Sequence, residues 1–382
     1  MKPEPQIQHK LESADQACAR LNISAQTLYA YVSRNLLRTS NHPTDSRMRL
    51  YYSVDIDRLI DRQKRGRSRK EIAQSTLDFG EPILASKLSN ITDGTYFYRG
   101  QSAISLSESA TLESLFELLC QTSIKPNWLA TKSYYISKHH QPVARFADAL
   151  VNRLATDNSF GNKRSAFYLM QLMACNATQQ ELETTSQEIH LQLANAWSAD
   201  PRAPDLIRRA LVLSADHELN ASTYASRVTA SSGANLSACL LTGISTLSGA
   251  HHGGLTDACA HWMHETSKRD AGKLQISPNT PPPGFAHRLY PNGDPRATEI
   301  LKHCPPPRSW QRLARKVKSI DGTWHPTLDF GLATLEHQLK LPKGSGFSIF
   351  AVGRTVGWLA HCFEQRKTVS LIRPRATHIK NA

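Results

Sequence analysis

The stretch LSGAHHGGLTDACAHW, residues 247–262, sets two adjacent histidines, His251 and His252, against Gly253 and Gly254 at the mouth of an apolar segment. Residues without side chains let backbone and ligand approach closely, and a helix N-terminus favours anionic groups. On its N-terminal side, ANLSACLLTGISTLSG (234–249) repeats apolar residues at threes and fours and reads as a helix. A glycine turn that carries imidazoles between two helical segments points to a helical fold with a site at its helix ends.

The same spacing runs through most of the chain. FYLMQLMAC (167–175), APDLIRRALVLSADHELN (203–220) and SIFAVGRTVGWLAHCFEQ (348–365) are all predicted helices. In the last, Ile349, Val352, Val356, Leu359 and Phe363 fall on one face. TLESLFELLCQ opens on Thr111 with Glu113 nearby, and LSNITDGTYFYRGQSAISL alternates around Asp93-Gly94, a hairpin signal. No internal repeat and no series of alternating strands is apparent, so from Gly80 onward a mainly α fold with one small hairpin is expected. The chain's 382 residues suffice for two or three domains, and 40% hydrophobic with 20% charged residues describes a soluble globular protein. No apolar run is long enough to span a membrane, and the N-terminus lacks the apolar core of a secretory signal. The seven cysteines are odd in number and scattered, with no C-x-x-C pair. Reduced thiols in a cytoplasm are expected, and no zinc site.

The net charge is +14, and between Arg34 and Lys70 eleven Lys/Arg face four Asp/Glu, so half the excess sits in a tenth of the chain. Such a block points to a polyanionic partner. In ESADQACARLNISAQTLYAYVSRNLLR (12–38), Ala14, Ala17, Cys18 and Leu21 have helical spacing before Asn22-Ile23 breaks the run. Ser24 caps a second helix whose buried stripe is Leu28, Tyr31 and Val32. That second helix would present Gln26, Thr27, Tyr29 and, just past it, Arg34 to DNA; turn residues then separate two short strands, a wing carrying Arg47 and Arg49. A third helix starts near Ser53, and Arg65, Arg67, Arg69 and Lys70 form a basic linker. The segment resembles the winged helix-turn-helix of the MerR type. The alternative is a small helical docking domain that uses the same face on protein.

Chemistry collects in four further places. SADHELNASTYASR (214–227) puts Asp216, His217 and Glu218 at the end of an apolar helix, and His252 stands in the glycine turn. In PPPGFAHRLYPNGDPRA (281–297), His287 and Arg288 follow a Pro-Gly turn, and Asp294-Pro295 starts a helix bearing Arg296. HPTLDFGLATL (325–335) sets Asp329 at the mouth of another helix; Arg354 and Arg373 follow. Together, and in this order, D-H-E-x-N-A-S-T, G-x-x-H-G-G, G-F-x-H-R-x-Y-x-N-x-D-P-R-A, D-F, R-T-x-G-W-x-A-H and R-P-R resemble citrate synthase, from about Pro82 to the C-terminus.

The resemblance implies a large helical domain (76–262 with 345–382) and a small one (263–344), after an N-terminal module and linker (1–75). It implies condensation of acetyl-CoA with oxaloacetate and hydrolysis of citryl-CoA to citrate and CoA, with acetyl-CoA as co-substrate and no metal or redox cofactor. His252 matches the histidine that hydrogen-bonds the thioester carbonyl, Asp329 the carboxylate that deprotonates the acetyl methyl group, and His287 the histidine that polarises and protonates the ketone. His217, Arg296, Arg354 and Arg373 match the oxaloacetate-binding residues, and Arg373 implies a homodimer because the family's R-P-R arginine reaches across from the second subunit. Three departures stand out: Ser214 where the family often has a further histidine, Pro291 where a basic residue is common, and a short segment between His287 and Asp329. His251 has no counterpart and is expected to be exposed or to stand behind the site. The alternatives are a 2-methylcitrate synthase that uses propionyl-CoA and a DNA-binding metabolite sensor.

Overall fold

The structure, a computed structural model, describes residues 11–33, 36–42, 45, 48–64, 84–92, 94–125, 128, 134–157, 159–180, 188–268, 276–368, 370–376 and 378. The chain divides into two compact units, residues 1–85 and 86–382.

In the first unit, β1 (Leu11–Glu12), α1 (Ala14–Leu21), α2 (Ala25–Ser33), β2 (Thr39–Asn41), β3 (Arg49–Tyr52) and α3 (Ser53–Lys64) follow one another. The strands form an antiparallel sheet in the order β1-β3-β2, with Thr39 opposite Tyr51 and Asn41 opposite Arg49. Ser13 and Gln16 make a reciprocal capping box at the start of α1, and Asn22 ends it in the left-handed region with φ 52°. Ser24 caps α2, its hydroxyl accepting from the Thr27 backbone at 3.3 Å. Of the expected stripe on α2, Leu28 is buried while Tyr31 and Val32 are only partly so; Ala17 and Leu21 of α1 are buried with Leu28, Leu37, Tyr51, Ile56 and Leu59. Ser53 is the first residue of α3 rather than a residue before it, and its hydroxyl accepts from Arg20 at 3.1 Å.

The second unit opens on the expected hairpin, β4 (Ser89–Thr92) and β5 (Thr95–Tyr98), with Thr92 opposite Thr95 and Gly94 at φ 71°. The short β6 (Gln101–Ser102) pairs with β5, and α4 (Ala103–Ser109) and α5 (Leu112–Cys120) follow. Thr111 caps α5 in a box with Ser114. Then come α6 (Pro142–Leu154), α7 (Lys163–Thr178), α8 (Ile189–Trp197), α9 (Ala203–Ser214), α10 (Ala221–Ser231), α11 (Leu236–Leu247) and α12 (Gly254–Ser267). The last four are α13 (Pro295–His303), α14 (Arg308–Ile320), α15 (Leu328–Gln338) and α16 (Ser345–Arg366).

The final helix organises the unit. Apolar spacing predicts one buried face, yet α16 is buried on every side from Ser345 through Cys362. Its small residues make room for neighbours: a Cβ on Gly353 would lie 2.7 Å from the Leu211 carbonyl, and one on Gly357 2.3 Å from that of Ala215. The C-terminal end of α9 therefore presses directly on α16 and delivers residues 214–218 beside Arg354. A second, smaller cluster joins Cys259 and Met263 of α12, Phe285, Trp310, Leu313 and Val317 of α14, Trp324, and Phe330 and Ala333 of α15. No helix among the described residues is long and apolar enough to cross a membrane, and no disulfide joins the seven cysteines.

Candidate active site

The glycine turn of the opening stretch solves a packing problem. Gly253 has an ordinary helical backbone (φ −61°), but a Cβ there would meet the Leu247 side chain at 2.7 Å. A Cβ on Gly254 would meet the Gly249 and Ser248 carbonyls at 2.8 Å. The turn folds back over the end of α11, so the close approach these glycines permit is of the chain to itself. His252 is thereby fixed at the head of α12, while His251 is exposed.

The His252 Nε2 lies 2.8 Å from the Ser222 hydroxyl on α10. That hydroxyl also accepts from the Trp358 indole N–H at 3.2 Å and donates to Asn220 Oδ1 at 2.8 Å. A hydroxyl has one proton, and Ser222 gives it to Asn220 Oδ1, which can only accept, so Ser222 accepts from the His252 Nε2–H and the neutral ring carries its proton on Nε2. His287 is set the same way. The Leu289 backbone N–H donates to its Nδ1 at 3.2 Å, so the neutral ring carries its proton on Nε2. Ala286, just before it, sits at φ 63°, and its N–H donates to the His325 carbonyl at 2.9 Å. A left-handed alanine is strained, and that bond helps to hold it.

His217 is buried at the end of α9, its Nε2 2.9 Å from the Tyr290 hydroxyl. Its ring stands edge-on to that of His287, centroids 5.3 Å apart, and Tyr290 stacks obliquely on His287 at 5.0 Å. All three imidazoles are held neutral. Burial, then the Arg354 and Arg296 charges, brings His252 down to about 3. Burial and Arg296 bring His287 to about 4, and burial with the same arginines puts His217 well below the ordinary range.

Two guanidiniums face these rings. Arg296, 3% exposed on α13, uses Nε and Nη2 on Asp294 at 2.9 and 2.8 Å and lies over the Tyr290 ring. Asp294 also accepts from the Arg296 backbone, capping α13, and from the Leu328 backbone at 3.0 Å, which ties α13 to the start of α15. Arg354 is 1% exposed on α16, and its Nε donates to the Ser214 carbonyl at 2.8 Å. Its Nη1 is buried without a partner. Leaving such a group unsatisfied costs about 1–3 kcal/mol, more when charged, so a buried guanidinium N–H of this kind is poised for an anion. Burial lowers the Arg354 pKa against the opposing pull of Asp216.

Asp329, second residue of α15, is partly buried. Thr256, one turn into α12 from His252, donates to its Oδ1 at 2.6 Å, and Thr327 to Oδ2 at 3.3 Å. Burial raises its pKa, with the Thr256 bond and Arg296 pulling the other way. A carboxylate in such surroundings is a stronger base than one in water. The second-unit residues singled out by sequence thus converge, with one exception: Arg373 is exposed in the segment after α16. In the first unit, Gln26, Tyr29 and Arg49 are exposed, while the Thr27 hydroxyl lies 3.0 Å from that of Ser24 at its own helix start. Arg34, Arg47 and the basic linker lie outside the described residues. Sequence reasoning read Asp294 correctly as the cap of α13 but not as the partner of Arg296, and did not assign Ser222, Trp358, Thr256 or Tyr290. All but Thr256 lie inside the quoted motifs, which was the available signal.

The family model described as citrate synthase, C-terminal domain, matches residues 79–375. Citrate synthase 2 of Bacillus subtilis (strain 168) is 27% identical over 349 residues, 78% of this chain and 94% of the relative. The citrate synthase of Haloferax volcanii is 33% identical over 183 residues, 44% of this chain and 48% of that one. Among solved structures, the ternary complex of carboxymethyl coenzyme A and oxaloacetate with citrate synthase from Thermoplasma acidophilum aligns with a TM-score of 0.68 at 21% identity, covering 79% of this chain and 94% of that one. Citrate synthase from Thermotoga maritima aligns with a TM-score of 0.61 at 22% identity, again over 79% and 94%. At those identities the structural likeness speaks to the fold.

Proposed function

The chain belongs to the citrate synthase family, an acyl-transferring enzyme family, and from that premise we propose how its own residues carry out the condensation of acetyl-CoA with oxaloacetate. Asp329 takes a proton from the acetyl methyl group. His252, in the Nδ1–H tautomer that forms when Ser222 turns its own proton from Asn220 Oδ1 to Nε2, donates to the thioester oxygen as enolate charge develops there. A base and a donor acting on one molecule contribute roughly 10²–10⁴-fold from proton transfer and a comparable electrostatic factor. The new carbon–carbon bond forms between the enol carbon and the ketone carbon of oxaloacetate, and the ketone oxygen takes the Nε2 proton of His287. Water then cleaves the citryl thioester, releasing CoA thiol and citrate. Arg354, Arg296 and His217 hold the acceptor's carboxylates, with Arg373 of a second copy completing the site in a homodimer. Residues 263–344 form a small domain that closes over CoA.

The observation that carries the reading is the meeting of two neutral imidazoles beside Arg296, His252 bonded to Ser222 and His287 set by the Leu289 N–H. A thiol-release assay tests it: oxaloacetate-dependent CoA release from acetyl-CoA is expected, and Asp329→Asn should lower kcat by about 10²–10⁴-fold. No release with acetyl-CoA or propionyl-CoA would refute it. The propionyl reading stays in the same assay, since one methylene is worth only about 1–3 kcal/mol of discrimination.

For the first unit we propose a MerR-type winged helix-turn-helix that binds duplex DNA through α2 and the β2–β3 turn. The support is the α1–α2 pair with Gln26 and Tyr29 exposed, the antiparallel strands, and the basic block. A salt-dependent shift of duplex DNA by the full chain is expected, lost in Gln26→Ala/Arg49→Ala protein. No shift at low salt removes the proposal.

A further inference from the structure

Beside the acceptor side of the site stands a buried phenol that the mechanism leaves without work. Tyr96 of β5 is fully buried, and its hydroxyl has no hydrogen-bond partner. Its ring lies against His217, centroids 5.3 Å apart, and edge-on to Tyr98 at 4.9 Å. Tyr98 itself is fully engaged: its hydroxyl donates to the Val212 carbonyl at 2.7 Å and accepts from the Asp216 N–H at 3.2 Å. The two tyrosines, two positions apart on one face of the strand, are thus employed differently: Tyr98 is bonded on both sides, while among the described residues Tyr96 has only the Tyr98 hydroxyl within weak reach.

Other unpaired groups stand near Tyr96. Arg354 Nη1 and Ser214 Oγ are also buried and unpaired, and the same arginine is anchored through Nε on the Ser214 carbonyl. The Tyr96 phenol is within electrostatic reach of both Arg296 and Arg354. Burial holds the phenol well above its ordinary pKa, so it is a hydrogen-bond donor at any working pH. Asp216 Oδ1 is unpaired too, but it faces Gly357 of α16, whose Cβ would lie 2.7 Å away. What remains beside His217 is a pair of donors, from Tyr96 and Arg354, unpaired among the described residues, with the Ser214 carbonyl anchoring the arginine. A carboxylate has about four acceptor sites and fits such a pair.

Resting on the proposed reaction, we infer that Tyr96 is a specificity-determining residue for the acceptor substrate, its hydroxyl donating, together with Arg354 Nη1, to a carboxylate of the 2-oxo diacid. Ser214 is the accompanying polar wall. A donor set that is unsatisfied in the empty protein favours an acceptor that brings the matching carboxylate and rejects a 2-oxo monoacid, which would leave these groups buried and unpaired.

Tyr96→Phe tests this in the full-length protein, because it removes one oxygen and leaves the ring. The KM for oxaloacetate should rise about tenfold, with the KM for acetyl-CoA unchanged and kcat within about twofold. The thermal midpoint of the unliganded variant should equal or exceed that of the wild type, since an unsatisfied buried hydroxyl has been replaced by an apolar edge. The rise in midpoint that oxaloacetate produces should shrink. Ser214→Ala should act in the same direction. An unchanged oxaloacetate KM overturns the inference, as does a lowered unliganded midpoint with both KM values rising together, the pattern of a structural hydroxyl or of one satisfied by a buried water. Wild-type protein that is stabilised by oxaloacetate but does not release CoA strikes the proposed reaction alone, and the midpoint comparison then decides on Tyr96. Wild-type protein indifferent to oxaloacetate overturns both.

Discussion

At the scale of the residue, the site works by keeping imidazoles neutral and one carboxylate basic. With His252 held near 3 and His287 near 4, both are donors of a single defined proton throughout the range pH 5–8. Asp329 is the group whose protonation stops the reaction, and burial raises its pKa. The acid limb of a kcat–pH profile should therefore lie above the ordinary carboxylate pKa of about 3.9 and vanish in Asp329→Asn. Stability has its own pH dependence, with a definite sign. The three histidines have folded pKa values below their unfolded value of about 6.5, so the unfolded chain binds more protons between those limits and stability falls as pH drops from about 6.5 toward 4. For His287 alone the difference is about 3 kcal/mol. Thermal midpoints measured from pH 7 to 5 should decline, and His287→Gln should flatten the decline. The groups that do this chemistry were legible in the sequence because their types are rare together and their order is fixed. Ser222, Trp358 and Thr256 were not assigned: a hydroxyl or an indole that orients another side chain looks, in one dimension, like any core residue.

At the scale of the element, the helices could be read from apolar spacing, but not what makes α16 central. Spacing of Ile349, Val352, Val356, Leu359 and Phe363 predicts one buried face; the burial of the opposite face depends on glycines that let α9 approach. A glycine within a helical pattern does not say whether it is there for conformation or for contact, and only the neighbour decides. Gly357→Ala tests the contact. Alanine improves helix propensity by about 1 kcal/mol, yet its Cβ would lie 2.3 Å from the Ala215 carbonyl and 2.7 Å from Asp216 Oδ1. Backbone cannot swing aside as a side chain can, so a net loss of about 1–3 kcal/mol is expected, read as a lower thermal midpoint. Gly243→Ala on α11 is the functional counterpart. Its Cβ would meet the Trp358 ring at 2.8 Å, displacing the indole that donates to Ser222 and thus loosening His252. Its kcat should fall while the KM for oxaloacetate stays near the wild-type value; a kcat like that of the wild type would show that Trp358 does not hold His252 in place.

At the scale of the whole molecule, the question is where the remaining positive charge comes from. Within the second unit, Arg296 is paired to Asp294, Asp216 contacts His361 at 3.1 Å and lowers the net field around Arg354, and all three site imidazoles are neutral. Oxaloacetate brings two carboxylates into this nearly balanced site. Arg373, predicted as a clamp, is exposed beyond α16, where its own chain makes no use of it in the site. The proposed isologous dimer would account for both facts, because each copy would then lend its arginine to the other and complete two equivalent sites. Alone, Arg373→Ala should raise the KM for oxaloacetate without moving the thermal midpoint, whereas Asp329→Asn should be nearly inactive. Mixed and allowed to exchange subunits, the two variants form heterodimers in which one site has an intact Asp329 and receives an intact Arg373. At subsaturating oxaloacetate, random pairing restores roughly a quarter of wild-type activity. Recovery that requires mixing, and that disappears on dilution below the dimer dissociation constant, can arise only if the arginine crosses between copies. A mixture no more active than the sum of its parts would place Arg373 outside the site and leave Arg354 and Arg296 to hold the acceptor within a single chain.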